Sequence, residues 1–398
     1  MRTVTARGGS ALTLGVAVAL VAGVTLGNGG ANVMPVFVDD FASRFALSDS
    51  GAGLVAAAQL TATALVTLLL AGRAARPGRV RMARLGLAVS GTGFLGVTAA
   101  SDPVVLILAN LVIGAGLGAV YASATAALAA TDDADRTSAV AVSGTVCATA
   151  LLLMGVAAAN HDMGGGTGFL LMALGCLLAW PLVRGLPDGP GAQDGLSPGA
   201  AEPDPARPSA VLLAGTALLW AVTQGAWSYT SVLGREHTGM SPSVVSAVLA
   251  AASVVALAGA VLGPLAARRF GRMRSMAFFV ALQAVSMTAL IITHDPVLFV
   301  VAAVLWQTCQ LAVLVQMLAA ASLIDASGRL VASLSGAGAL GTGVGPLAVG
   351  ALLDGAGAGV LGLVLGAGTF VASLPLLRMT VDGATAHGRR RSAPMPAP

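Results

Sequence analysis

Lysine is missing from this chain of 398 residues, and charge of either sign is scarce: its 21 basic residues are all arginine, and with 17 acidic residues they make up 10% of it. Soluble domains carry about 25%. A chain so poor in charge cannot cover a water-facing surface, and a mean hydropathy of +0.88 excludes water as its main solvent. Cysteine is equally sparse. Cys147, Cys176 and Cys309 sit inside apolar runs, without a CxxC spacing or a histidine neighbour, so the sequence predicts buried free thiols, with no metal and no disulfide framework. The apolar runs also lack alternation with polar positions, which excludes an outer-membrane barrel and leaves helices as the spanning element. The net charge of +4 does not point to nucleic acid, because the arginines flank apolar runs. A myristoylation site and a CaaX box are absent, and the first apolar stretch outruns a signal peptide's h-region, so it reads as a retained helix.

What is present is apolar sequence in bilayer-length pieces. Runs bounded by charge, proline or glycine lie near 12–38, 50–72, 82–101, 103–129, 137–159 and 167–185. Six more lie near 209–233, 242–267, 275–293, 296–323, 330–353 and 358–378. Residues 186–208, with six prolines, read as a cytoplasmic linker between an N-terminal half (1–185) and a C-terminal half (209–378); residues 379–398 read as a disordered cytoplasmic tail. With both termini cytoplasmic, every arginine except Arg44 and Arg235 falls inside, as the positive-inside rule requires of a bacterial plasma-membrane protein. Glycine, 52 residues, is about twice its usual share. The pairs Gly23/Gly27, Gly114/Gly118 and Gly341/Gly345 have the spacing that lets membrane helices approach closely.

The two halves are related. At an offset of 193, Leu47-Ser48-Asp49-Ser50 answers Met240-Ser241-Pro242-Ser243, Arg76-Pro77-Gly78-Arg79 answers Arg269-Phe270-Gly271-Arg272, and Asp102-Pro103 answers Asp295-Pro296. Asp132 and Arg136 answer Asp325 and Arg329, and at 194 Pro181 and Arg184 answer Pro375 and Arg378. Six spans separate the copies, so both share one orientation: a parallel repeat about an axis along the membrane normal.

With six plus six spans, a long central linker and a basic loop repeated in both halves, the chain resembles the major facilitator superfamily over nearly its whole length. The family's loop signature, Gly-x-Leu-Ala-Asp-Arg-x-Gly-Arg-Arg, survives as Ala75-Arg76-Pro77-Gly78-Arg79 and Arg268-Arg269-Phe270-Gly271-Arg272. Its Asp is replaced by Ala75 and Arg268, so the charge relay that latches the family's outward-facing state lacks its carboxylate. The run Gly341 to Gly350, with Gly345-Pro346, is similar to the family's Gly-x-x-x-Gly-Pro-x-x-x-Gly helix, a packing element. The Arg-x-x-x-Gly-x-Gly of proton-coupled members reads Asn110, Gly114 and Gly116 here, without the arginine. The resemblance implies an all-α membrane protein of twelve transmembrane helices, a gating role for Arg76, Gly78, Arg79, Arg269, Gly271 and Arg272, and a solute path along the first, fourth, seventh and tenth helices.

No charged residue falls clearly at the middle of a span, so a solute site must be built from neutral polar groups. Asn28 and Asn32 lie one turn apart on the first helix; Trp220, Gln224 and Trp227 share a face of the seventh; Trp306 and Gln310 share one on the tenth, flanked by Gln307. Asn110 and Tyr121 stand on the fourth. Amides with indoles suit a small neutral organic solute with ring or amide character. The competing reading is that these amides only tie helices together, and Gln59, Gln283 and Gln316 are read that way. Asp39 and Asp40 read as a solvated flank at the outer end of the first helix rather than as a proton site. The expectation is a monomeric secondary transporter without a cofactor, coupled to protons or uncoupled, with efflux of a metabolite or drug preferred over uptake. The alternatives weighed are a membrane enzyme, which lacks a catalytic constellation here, and a non-transporting sensor or scaffold.

Overall fold

The computed structural model describes residues 11–131, 134–188, 209–324 and 329–392, without the side chains of 134–136, 139, 322–323, 329 and 380–392. Its elements are α1 (Leu14–Gly27), α2 (Gly29–Asn32), α3 (Met34–Phe45), α4 (Asp49–Ala74), α5 (Arg79–Ala99), α6 (Pro103–Leu128), α7 (Ala134–Met163) and α8 (Thr167–Leu182), followed by a 3-10 turn at Val183–Gly185. After the linker come α9 (Ala210–Thr238), α10 (Pro242–Val255), α11 (Leu257–Phe270), α12 (Arg272–Ile292), α13 (Pro296–Ile324) and α14 (Arg329–Ser392).

Among the described residues ten helices are long and apolar enough to cross a bilayer. The first expected span is stepped rather than continuous. Pro35 has no N–H to give and crowds the carbonyl four residues back, so the chain leaves helical geometry at Val33 (φ −93°, ψ 4°). A second step falls at Asn28, among glycines. In the other direction α14 carries two expected spans, divided at Gly357 (φ 74°, ψ 172°). With these two adjustments the count is compatible with twelve. The tail expected to be disordered from residue 379 is instead helical as far as Ser392. Extending a packed helix costs little beside nucleating one, and the next proline is Pro394. Most of the linker lies outside the described residues.

The repeat marks places where the backbone demands a particular residue. Asp102 caps α6, its Oδ1 accepting from the amides of Val104 (2.9 Å) and Val105 (3.1 Å), with Pro103 at the first position. Asp295 accepts from the Leu298 amide (2.8 Å) ahead of Pro296. Both are N-caps followed by the one residue that needs no donor there. Gly78 (φ 107°) and Gly271 (φ 88°) make the turns before α5 and α12, where a side chain would be strained.

The described chain forms two compact units. One holds α1 to α8 together with residues 242–250, and the other holds α9 and the chain from residue 251 onward. The start of α10 thus groups with the first unit rather than with the C-terminal half. In the first unit glycines set the packing. A Cβ on Gly27 would lie 2.7 Å from the Tyr121 amide nitrogen, one on Gly116 2.5 Å from that of Ser90, and one on Gly118 2.5 Å from the Thr63 carbonyl. Near the start of α3, Phe37 stacks on Phe169 (centroids 4.4 Å apart), with Phe41 and Phe94 around them. In the second unit α14 lies along α9, Gly341 against Ala217 and Gly345 against Ala221 and Gly225, with Pro346 following. Its core includes Met276, Phe279, Cys309, Val313 and Leu376. Large apolar side chains such as Leu69, Leu177, Phe278 and Val285 point outward, as a lipid-facing surface allows.

Candidate solute site

In the first unit, Asn28 and Asn32 lie one turn apart at the step in the first span, and the Asn28 amide donates to Asn32 Oδ1 (3.2 Å). Asn32 in turn donates to Thr149 Oγ1 on α7 (3.0 Å). Both asparagines and Tyr121 remain partly exposed. Asn110 does not: it is fully buried and its amide donates to the Leu106 carbonyl one turn back (2.9 Å), leaving Oδ1 without a partner. The asparagines of the first helix thus form a short polar chain ending on α7, a helix the sequence reading did not connect to them.

In the second unit Gln224 and Trp227 are buried along α9, and the Trp227 ring lies 6.3 Å from that of Trp306, tilted by 56°. Trp306 is fully enclosed, with its indole N–H unpaired, whereas Gln307 and Gln310 are partly exposed. Open space lies close by. A cavity of about 20 Å³ is lined by Trp220, Thr223, Gln283, Gln310, Leu314 and neighbouring aliphatic side chains. That is room for one water-sized group.

Three glutamines read as structural from sequence carry unpaired amides. Gln59, Gln283 and Gln316 are almost fully buried, and neither the nitrogen nor the oxygen of any of these amides meets a partner. A buried polar group left unpaired costs about 1–3 kcal/mol. Gln316 and Arg272, whose Nη1 also lacks a partner, border a larger pocket of about 220 Å³ with Arg268.

The two basic loops differ in the same way. Arg79 is 2% exposed, and its guanidinium donates to the carbonyls of Ala74 (2.7 Å), Ala75 (3.0 Å) and Pro187 (3.0 Å). Asp188, just past the 3-10 turn, accepts from the amides of Gly78 (2.7 Å) and Arg79 (2.6 Å). A carboxylate therefore caps α5 although the loop's own acid is missing; sequence reading left Asp188 in the linker. Arg76 is exposed, as is Arg269, whose guanidinium sits over Phe270 (5.6 Å).

Asp40 departs from the solvated flank expected of it. It is 5% exposed; Oδ1 accepts from the Gly166 amide at the start of α8 (3.0 Å), and Oδ2 lies 4.0 Å from Arg44. Arg44 donates to the carbonyls of Val97 (2.9 Å) and Thr98 (3.1 Å), where α5 ends. Burial pushes the Asp40 carboxyl above its ordinary range, while the Gly166 amide and Arg44 pull it down. The amide that meets it belongs to Gly166, far along the chain, so no local sequence pattern announces the burial. In the second unit His237 and His294 stack 5.0 Å apart.

The family model described as Major Facilitator Superfamily matches residues 18–327. The chain belongs to the major facilitator superfamily. Solved structures of similar fold include the peptide transporter POT in complex with sulfate, at 12% identity over 94% of this chain and 95% of that one, with a TM-score of 0.72. Another is the nucleoside transporter NupG, at 11% identity over 92% and 99%, TM-score 0.68. A third is a bacterial homologue of the human lysosomal transporter Spinster, inward-facing and occupied, at 17% identity over 94% and 95%, TM-score 0.67. At such identities these neighbours establish the fold of this superfamily member and nothing about its solute. No curated protein sequence matches the chain.

Proposed function

We propose that this superfamily member is a monomeric secondary transporter, multi-pass in a bacterial plasma membrane with both termini cytoplasmic, that carries a small neutral organic solute by alternating access. The carrier core comprises the six-helix halves 1–185 and 209–378, joined by a cytoplasmic linker. Neutral polarity supports this reading: amides and indoles at the step after α1 and on α2, α9 and α13 provide hydrogen-bonding and ring-stacking groups where the spans carry no clear central charge. Asn28, Asn32, Tyr121, Gln224, Trp227, Gln307 and Gln310 contact the solute. The fully enclosed Asn110 and Trp306 do so only after their helices part. Arg76, Gly78, Arg79, Arg269, Gly271 and Arg272 act in the loops that gate the halves. Efflux is preferred over uptake. Proton coupling, where it operates, falls to Asp40, the buried acid beside a helix start.

A thermal-shift screen of the purified protein against metabolites and antibiotics tests the reading, followed by counterflow of each hit in proteoliposomes. A ligand at a hundredfold excess over Kd stabilises the native state by about 2.7 kcal/mol. Hits that are carried, and that Gln224→Ala and Trp227→Ala weaken, support a carrier with its site on α9. Binding without counterflow supports a sensor instead.

A further inference from the structure

The turn that begins α12 has a counterpart before α5, because Gly271 and Arg272 answer Gly78 and Arg79 across the offset of 193. In the first unit this turn is closed. The Arg79 guanidinium is buried on the carbonyls of Ala74 and Ala75, and the Asp188 carboxylate takes the amides of Gly78 and Arg79. Ser123 donates to the Ala119 carbonyl of its own helix (2.7 Å). In the second unit Ala267 and Arg268 answer Ala74 and Ala75, and Gln316 answers Ser123. Here Arg268, Arg272 and Gln316 border the pocket of about 220 Å³. The Nη1 of Arg272 is buried without a partner, as are both amide atoms of Gln316.

The anion is also missing. In the first unit the chain leaves α8 through the 3-10 turn at Val183–Gly185, and that delivers Asp188. At an offset of 194 Asp382 answers Asp188, but there α14 runs on as helix to Ser392. The Gly271 amide turns back to the Ala267 carbonyl instead (3.1 Å). Arg268, Arg269, Arg272 and Arg274 crowd this turn. The acids of the unit with described side chains stand elsewhere: Glu236 and Asp295 beside the His237–His294 stack where α9 and α12 end, and Asp354 before the break at Gly357. A pocket lined by two arginines and no acid attracts a negative group.

The surroundings select the kind of anion. On the orientation proposed above, these arginines put the turn at the cytoplasmic face of the bilayer. Val261, Leu265 and Arg268 share one face of α11 at i, i+4 and i+7, and all three are exposed, so an apolar track leads along the helix to a guanidinium. Phe270 and Met273, on either side of the turn, are exposed as well. We propose that the pocket between α11, α12 and α13 binds the phosphate of an anionic phospholipid of the cytoplasmic leaflet, with Arg268 and Arg272 as its ligands and the acyl chains along Val261 and Leu265. The phosphate supplies the charge that Asp188 brings to the first unit, and the acceptor that Arg272 Nη1 lacks. The proposal is independent of which solute is carried.

The test titrates the full chain in detergent with phosphatidylglycerol, with zwitterionic phosphatidylcholine of the same acyl chains, and with inorganic phosphate. Native mass spectrometry counts bound lipid, and melting temperature is followed in parallel. The expected result is that wild type binds phosphatidylglycerol at least about tenfold more tightly than phosphatidylcholine and melts higher with it. Arg268→Gln combined with Arg272→Gln should bring the two lipids level. Arg268→Gln alone, at an exposed position, should give part of that loss, which keeps the test decisive should the double variant fail to fold. Arg81→Gln, at an exposed arginine of the first unit's loop, should leave the preference unchanged. A preference that survives intact without Arg268, or a wild type that does not distinguish the lipids, overturns the proposal. Inorganic phosphate that stabilises as well as phosphatidylglycerol at equal concentration makes this a site for a soluble anion and overturns the lipid assignment. If wild type shows no lipid preference and Asp382→Asn lowers its melting temperature as far as Asp188→Asn does, the chain's own carboxylate fills the site, which again overturns it.

Discussion

Where α1, α5 and α6 meet, glycines bring backbones within contact, and the buried Ser90 hydroxyl donates to the Gly86 carbonyl of its own helix. Where α9, α12 and α13 meet in the second unit, Trp220, Gln283 and Cys309 occupy the corresponding positions and a cavity of about 20 Å³ remains beside Trp220 and Gln283. The two units keep the same caps and the same glycine turns, so duplication has preserved what the backbone needs. Packing has diverged at these positions, while each unit keeps buried amides with unpaired atoms, Gln59 and Asn110 in the first and Gln283 and Gln316 in the second, which teaches that the backbone of the repeat is held more tightly than its side chains.

The sharpest way to break the comparison is to put the residue of one unit into the other. Gly27→Trp forces an indole into the Tyr121 backbone and should cost about 3 kcal/mol or more, seen as lost yield of folded protein and a collapsed melting temperature. Normal folding of that variant would show that the first unit is not closed by glycine. The loop arginines give a second contrast. Arg79→Ala removes three charge-assisted bonds and should destabilise by about 3 kcal/mol, whereas Arg272→Ala, at a partly exposed position with an unpaired Nη1, should cost less than about 1 kcal/mol. Equal losses in thermal melts would erase the difference between the loops. Asp102→Ala and Asp295→Ala should instead behave alike, each costing about 1 kcal/mol, because both residues cap a helix that begins with proline. A large disparity between them would mean that the repeat has diverged at its caps as well.

Much of the fold was legible because bilayer-length apolar runs, positive φ turns and N-caps are local. Asp102-Pro103 and Gly78 need only their neighbours to act. Gly27, Asn28, Gly29, Gly30 and Pro35 carried the signal for a stepped first helix, yet hydropathy summed over the run hides a step. The split of α14 was visible from the break near residue 357, while its helical continuation past Met379 was not, since charge and glycine there read as solvated tail. The site was legible in kind and less so in place. Trp227 and Trp306 do come together, but Trp306 is enclosed, and the unpaired amides belong to Gln59, Gln283 and Gln316. Whether a midspan glutamine finds a partner depends on the facing helix, which periodicity cannot supply. Comparing Gln283 with Ser90 across the repeat was the signal that could have singled it out. Asp188 illustrates the same limit, because it caps a helix more than a hundred residues earlier in the chain.

The smallest expected effect concerns Asp40, for which the second unit has Leu233 at the corresponding position. Burial raises its carboxyl above the value of 3.8 that it has in the unfolded chain, against the opposing pull of the Gly166 amide and Arg44; Asp39, the other nearby acid, adds to the rise. The folded protein therefore binds this proton more tightly than the unfolded chain does. Its contribution to stability is complete below that value and is lost as pH rises through the raised folded value. Asp40→Asn keeps an oxygen to accept from Gly166 and carries no charge at any pH, so the variant should gain on wild type as pH rises from 4 toward 7. Melting temperatures of both proteins across that range measure the difference directly. A constant difference would mean that Arg44, 4.0 Å away, already compensates the buried charge. Leu233→Asp, at a position that is 3% exposed, should create the corresponding pH dependence in the second unit.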